Sequence, residues 1–102
     1  MIYLNKFDTP KGMMVAMCDE ELMGRVLKEG RIEIDLKRYG GFYKGELVSE
    51  AEASSIISKN VYSANVVGDR SVGILIAKGI VNDNEVRNVE GVKFVHLFKV
   101  RE

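Results

Sequence analysis

The stretch from Asn65 to Val81, NVVGDRSVGILIAKGIV, constrains the fold more than any other part of this chain. It reads as the end of a strand, a tight glycine turn, a short helix and a glycine stop. Val72, Leu75 and Ile76 share one helical face, Gly79 can take the left-handed conformation that ends the helix, and Ile80 can close that end against Leu75. Gly73 costs such a helix about 1 kcal/mol against alanine, so tertiary packing must hold it. The turn leaves the first N–H groups of the helix free for an anion or a carboxylate. Asp69 is the expected occupant, as a helix cap, with Arg70 and Ser71 as the added donors a phosphate would meet. Neither the P-loop pattern nor GxGxxG is present, so this turn is not a nucleotide loop of either kind.

The rest of the chain supplies strands and two further helices. Ile2 to Phe7 and Met13 to Cys18 read as strands joined by Thr9-Pro10-Lys11-Gly12, which is hairpin chemistry. Asp19 is expected to cap a helix carrying Leu22, Met23, Val26 and Leu27 on one stripe and ending at Gly30. Arg31 to Leu36 alternates, with Ile32, Ile34 and Leu36 on one face, as a half-buried strand does. Ser49-Glu50-Ala51-Glu52 is a capping box, and Ala53, Ile56 and Ile57 give its helix a buried stripe. Val61 to Val67 reads as a strand. Asn82-Asp83-Asn84 is a turn, and Val86 to Val89 with Val92 to Val100 makes a second hairpin around Glu90-Gly91. Hairpins at both ends favour an α+β fold. The expectation is a single compact domain over residues 1–102, with a mixed, mostly antiparallel sheet that includes the terminal hairpins. About three short helices should lie mainly on one face.

Charge bounds the partners. Fifteen basic residues balance fifteen acidic ones, and affinity for a phosphate backbone scales with the cations set against it. Any nucleic-acid contact must therefore use a local patch. The run Lys37 to Gly45, KRYGGFYKG, has no carboxylate and sets Tyr39, Phe42 and Tyr43 among Lys37, Arg38 and Lys44. Rings beside cations hold single-stranded nucleic acid without a large net charge. The same rings can instead pack across a sheet edge or take a protein partner. A smaller basic cluster is Lys93, Lys99 and Arg101.

Catalytic and metal chemistry have thin support. Cys18 is the single cysteine, so no internal disulfide can form, and a reduced, cytoplasmic setting is expected. Asp19, Glu20 and Glu21 surround it with charge that opposes a thiolate, so Cys18 reads as a small buried hydrophobe before a nucleophile. His96 is the single histidine and shares a strand face with Val92, Phe94, Phe98 and Val100, which suits a packed ring. A general base there needs an orienting partner, and none is legible. One His and one Cys with no paired spacing make no metal-ligand set, so neither a metal nor a cofactor is expected. No apolar run approaches a membrane span, and Met1 to Asp8 lacks the basic start of a secretory signal.

The motifs CDEELMGRVLKEGRIEIDL, FYKGELVSEAEA, ANVVGDRSVGILIAKGIV and VEGVKFVH, in this order and spacing, resemble a family of small single-domain archaeal proteins. That family is the domain of unknown function four-two-four. The resemblance covers nearly the whole chain, and it implies an archaeal, intracellular protein without implying an activity. By association with such small archaeal families, the expected setting is the translation machinery.

The reading is a non-enzymatic protein that binds RNA or a ribonucleoprotein. Its candidate surfaces are Lys37, Arg38, Tyr39, Phe42, Tyr43 and Lys44 in the loop, and Arg70 and Ser71 at the helix start. The alternatives are a protein–protein adaptor using the same loop, and a small hydrolase or transferase using Cys18 or His96.

Overall fold

The computed structural model describes residues 1–58 and 60–99. Strands β1 (Ile2–Thr9) and β2 (Gly12–Asp19) form the first hairpin, paired from Ile2 opposite Asp19 to Thr9 opposite Gly12. A 3-10 turn, Glu20–Leu22, leads to a second hairpin, β3 (Val26–Glu29) and β4 (Ile32–Asp35). One helical turn, α1 (Gly40–Tyr43), precedes β5 (Glu46–Val48), α2 (Glu50–Ile56), β6 (Val61–Val67) and α3 (Asp69–Ala77). Another 3-10 turn, Asp83–Glu85, precedes the closing hairpin of β7 (Arg87–Val89) and β8 (Val92–Phe98). Val100 and Arg101, which the sequence reading assigned to the last strand and to a basic cluster, lie outside the described residues.

Six strands form the main sheet in the order β5-β1-β2-β6-β8-β7, and β3 and β4 form a separate two-stranded ribbon. Every neighbouring pair in the main sheet is antiparallel except β2 and β6, which run parallel. The fold is thus α+β with a mixed, mostly antiparallel sheet that contains both terminal hairpins.

The sheet is covered on both faces. On one, Ala53 and Ile57 at α2 and Val72, Ile74 and Leu75 of α3 pack on Leu4, Val15, Met17, Val61, Ala64, Val66 and Val95. On the other, Leu27, Ile34 and Leu36 of the ribbon and Tyr43 of α1 pack on Ala16, Cys18, Val67 and Phe94. Of the apolar positions that the strand and helix patterns turn inward, Ile34, Leu36, Ile57, Val72 and Leu75 are buried. Ile32, Ile56 and Ile76 are partly buried and packed against these clusters.

Two local expectations are corrected. There is no helix from Asp19 to Gly30: after the 3-10 turn the chain forms β3 instead. Gly24, at φ 88° inside the expected span, lies in the left-handed region, which a right-handed helix does not pass through. The alternating strand also needed a ladder partner, and Val26–Glu29 provides it, from Val26 opposite Asp35 to Glu29 opposite Ile32. The stripe had placed Val26 inside, but as a strand residue it is exposed while Leu27 is buried. The loop Lys37 to Gly45 holds one helical turn, α1.

The second correction concerns the cap of α3. Asp69 does not cap it; its Oδ1 accepts from Lys93 N–H at 3.1 Å. The cap is Asp19, from the end of β2. Its carboxylate accepts from Arg70 N–H at 3.1 Å, Ser71 N–H at 2.9 Å and Ser71 Oγ at 2.7 Å. Parallel pairing of Cys18 with Val67 brings the two strand ends together. Gly68, at φ 116°, turns there with no side chain, because a Cβ would fall on the Asp19 carboxylate.

Candidate aromatic cleft

A cleft of about 340 Å³ opens on the sheet face that the ribbon covers only in part. Register builds its floor: Ala16 of β2 lies opposite Asn65 of β6, and Asn65 lies opposite His96 of β8. Asn65 and His96 line the cleft from this floor. Glu33, Ile34 and Asp35 of β4 make one wall, and Tyr39, Phe42 and Tyr43 of the aromatic loop make another.

The loop is anchored from below. Asp35 Oδ1 accepts from Lys37 N–H at 3.1 Å and from Arg38 N–H at 2.7 Å, and Asp35 O accepts from Tyr39 N–H at 3.0 Å. These bonds start α1, and Asn5 Nδ2 donates to Phe42 O at 3.0 Å near its end. At Gly45 a side chain would collide with the backbone of Leu4 and Asn5, so glycine lets the chain leave the loop against β1.

The three rings differ in exposure. Tyr39 is 56% exposed and Phe42 36%, while Tyr43 is 6% exposed and belongs to the core beneath the ribbon. Phe42 stacks on Phe7 with centroids 6.0 Å apart and planes at 11°, and meets Tyr43 edge-on at 5.4 Å. The Arg38 guanidinium sits 5.4 Å from the Tyr39 ring centre, a cation–π arrangement. Lys37, Arg38 and Lys44 are all exposed.

His96 lies at the rim, its ring edge-on to Phe94 at 5.4 Å, and the Arg87 guanidinium stands 5.7 Å from the Phe94 ring centre. His96 is exposed at the surface; partial desolvation of its ring, and then the Arg87 charge, hold its pKa below the ordinary histidine value. Neutral imidazole, one donor and one acceptor, is therefore the form at neutral pH. Burial pushes the Tyr43 hydroxyl up to about 12, with Cys18 as a further cause.

Cys18 does not line the cleft. Its thiol is fully buried and donates to Asp19 O at 3.2 Å. Burial first, then the Asp19 and Glu21 carboxylates, push its pKa up to about 12. Arg70 and Ser71 lie in a separate place. The Arg70 guanidinium pairs with Glu21 and approaches Asp19 and Glu50 at 3.8 Å each, and Ser71 is buried on Asp19. The carboxylate that occupies the start of α3 is thus the chain's own. Among the described residues, no cluster of three His, Cys, Asp or Glu side chains could hold a metal, and no helix is long and apolar enough to cross a membrane.

The family model described as "Protein of unknown function (DUF424)" matches residues 7–100. The chain belongs to the DUF424 family. One solved structure, of an uncharacterized conserved protein from Methanopyrus kandleri, matches this DUF424 chain with TM-score 0.76. It is 22% identical and aligns over 99% of this chain and 95% of its own. At that identity the likeness shows the DUF424 fold alone. No curated protein matches the chain.

Of the residues singled out in sequence, the cleft gathers Tyr39, Phe42, Tyr43 and His96, while Lys37, Arg38 and Lys44 are exposed on the same loop and do not line it. Sequence reasoning missed Asn65, Glu33 and Asp35. Asn65 is an amide inside an apolar strand, and that polarity was the one available signal. Its pairing opposite His96 depends on strand order, which no local pattern carries.

Proposed function

We propose that this chain is a binding protein whose site is the aromatic cleft. Its ligand is single-stranded RNA, free or as an exposed strand of a ribonucleoprotein of the translation machinery. One observation carries the reading: rings from the loop and from β8 line a single cleft, and the loop that supplies three of those rings also carries three exposed cations. Exposed rings offer stacking to unpaired bases, and the cations offer contacts to the phosphates that join them. Glu33 and Asp35 on the opposite wall repel phosphate, which leaves the interior of the cleft to a base. Arg70 and Ser71, held by Asp19, take no part in this reading. The reading takes the protein as cytoplasmic, where a lone thiol stays reduced.

Binding to a single-stranded oligonucleotide at low salt, followed across a salt series, tests it. Three phosphate contacts on a single strand give a log–log salt slope of about 2. Stacking must then supply much of the affinity, at roughly 1–3 kcal/mol per base. The double variant Tyr39→Ala with Phe42→Ala should abolish binding and keep the fold, because both rings are exposed. Tyr43→Ala is unsuitable, since that ring is core. Absence of binding by the wild type at low salt ends the proposal. The second reading, a protein–protein adaptor, draws on Phe98, which is 68% exposed and edge-on to Tyr62 at 6.1 Å. Co-purification of a protein that survives nuclease treatment would favour it.

A further inference from the structure

The wall of the cleft formed by β4 is a strand edge that pairs with no further strand among the described residues. Leu36 N–H donates to Arg25 O at 2.8 Å, and Ile34 and Ile32 stand opposite Leu27 and Glu29. Backbone groups along an antiparallel strand alternate in direction. Ile32, Ile34 and Leu36 therefore turn theirs toward β3, and Glu33 and Asp35 turn theirs outward. Tyr39 N–H takes the Asp35 carbonyl. Glu33 N–H, Glu33 C=O and Asp35 N–H remain, with no hydrogen bond among the described residues. Asp35 is held in place by its carboxylate, which accepts from two backbone N–H groups of the following turn.

This edge presents an acceptor, Glu33 C=O, next to a donor, Asp35 N–H, beside the cleft's rings. The Watson–Crick edge of an unpaired base carries the matching pair: an amino or imino N–H next to a ring nitrogen or a carbonyl. Backbone groups suit the task because neighbouring strand structure fixes their direction before a ligand arrives.

We infer that the β4 edge reads one unpaired nucleobase, Glu33 C=O accepting from its amino or imino N–H and Asp35 N–H donating to the adjacent acceptor. This deepens the RNA-binding reading and rests on it. It departs from plain stacking, which leaves the Watson–Crick edge unread and tolerates its modification. It also predicts that a base already paired in a duplex is rejected.

The test alters the ligand, so the fold of the protein is untouched. Hexamers of uridine and of adenosine are compared with hexamers of N3-methyluridine and N6,N6-dimethyladenosine. These modifications block the Watson–Crick edge without adding charge. Affinity is read by fluorescence anisotropy at low salt, with the Asp35 amide followed by NMR. The expected result is that at least one unmodified hexamer binds and that its blocked form binds about tenfold weaker or worse, the scale of one bidentate pair. The Asp35 amide signal should move with the unmodified hexamer and stay in place with the blocked one. Equal affinity of the blocked and unmodified forms overturns the edge readout and leaves RNA binding standing. No binding by either unmodified hexamer overturns both.

Discussion

At the scale of single residues, the chain puts its ionisable groups to structural use at its core and leaves others at the cleft. Cys18 is buried and surrounded by acid, which pushes its pKa from the ordinary thiol value of 9.0 up to about 12. The sign follows: the stability this shift lends is present below pH 9 and is lost as pH rises from there toward 12. We expect the thiol to react slowly with a thiol reagent at neutral pH in the folded protein; rapid labelling would contradict its burial. His96 behaves in the opposite sense. Its folded pKa is depressed, so the stability it lends is present above its unfolded value of 6.5 and is lost as pH falls below that. As the single histidine, it gives one resolved NMR titration. The midpoint should lie below 6.5, and Arg87→Gln should raise it without carrying it past that value. Asp19 is the residue on which the turn after β6 depends. Asp19→Ala removes the acceptor for two backbone N–H groups and a buried hydroxyl, at a cost of about 1–3 kcal/mol. Denaturation of Asp19→Ala, Ser71→Ala and the double variant should be non-additive, because the pair shares one bond.

At the scale of elements, those with local signals were legible and those defined by distant partners were not. The capping box at Ser49 forms as read: Ser49 Oγ accepts from Glu52 N–H at 3.1 Å, and Glu52 Oε1 accepts from Ser49 N–H at 3.2 Å. Ser49→Ala should therefore cost about 1 kcal/mol in a denaturation measurement. The glycine stop of α3 also forms, with Gly79 at φ 69° and Ile80 N–H donating to Leu75 O at 2.9 Å. The segment from Asp19 to Gly30 was misread because Leu22, Met23, Val26 and Leu27 match a helical stripe as well as a turn followed by a short strand. Gly24 and the need of β4 for a partner decided the matter, and neither weighs on a window of a dozen residues. Asp19 shows the same limit: a carboxylate placed to cap the next helix caps one fifty residues later, because parallel strand pairing brings that helix start to it. The aromatic loop was legible as a surface from its composition. Its burial pattern, with Tyr43 inside and Tyr39 outside, follows from α1, which three neighbouring bonds to Asp35 initiate.

At the scale of the whole molecule, one sheet serves two hydrophobic clusters, so damage to either face should be felt by both. Leu27→Ala removes a fully buried side chain beneath the ribbon, which costs about 2–5 kcal/mol. Chemical denaturation should remain a single transition with a lower midpoint; a separate early transition would show that the ribbon unfolds by itself. The sheet order also divides the chain into halves: β5, β1 and β2 come from the first part and β6, β8 and β7 from the second. The two three-stranded groups meet only along β2 and β6, where Met17 lies opposite Val66 and Cys18 opposite Val67. Each group contains a hairpin that closes a short loop, whereas the pairings of β1 with β5 and of β2 with β6 each close a long one at a greater entropic penalty. The two halves are natural complementation partners, because the main sheet divides between them along β2 and β6. Separate peptides ending at Ser58 and beginning at Asn60 should associate on mixing and regain the cooperative melt that neither has alone.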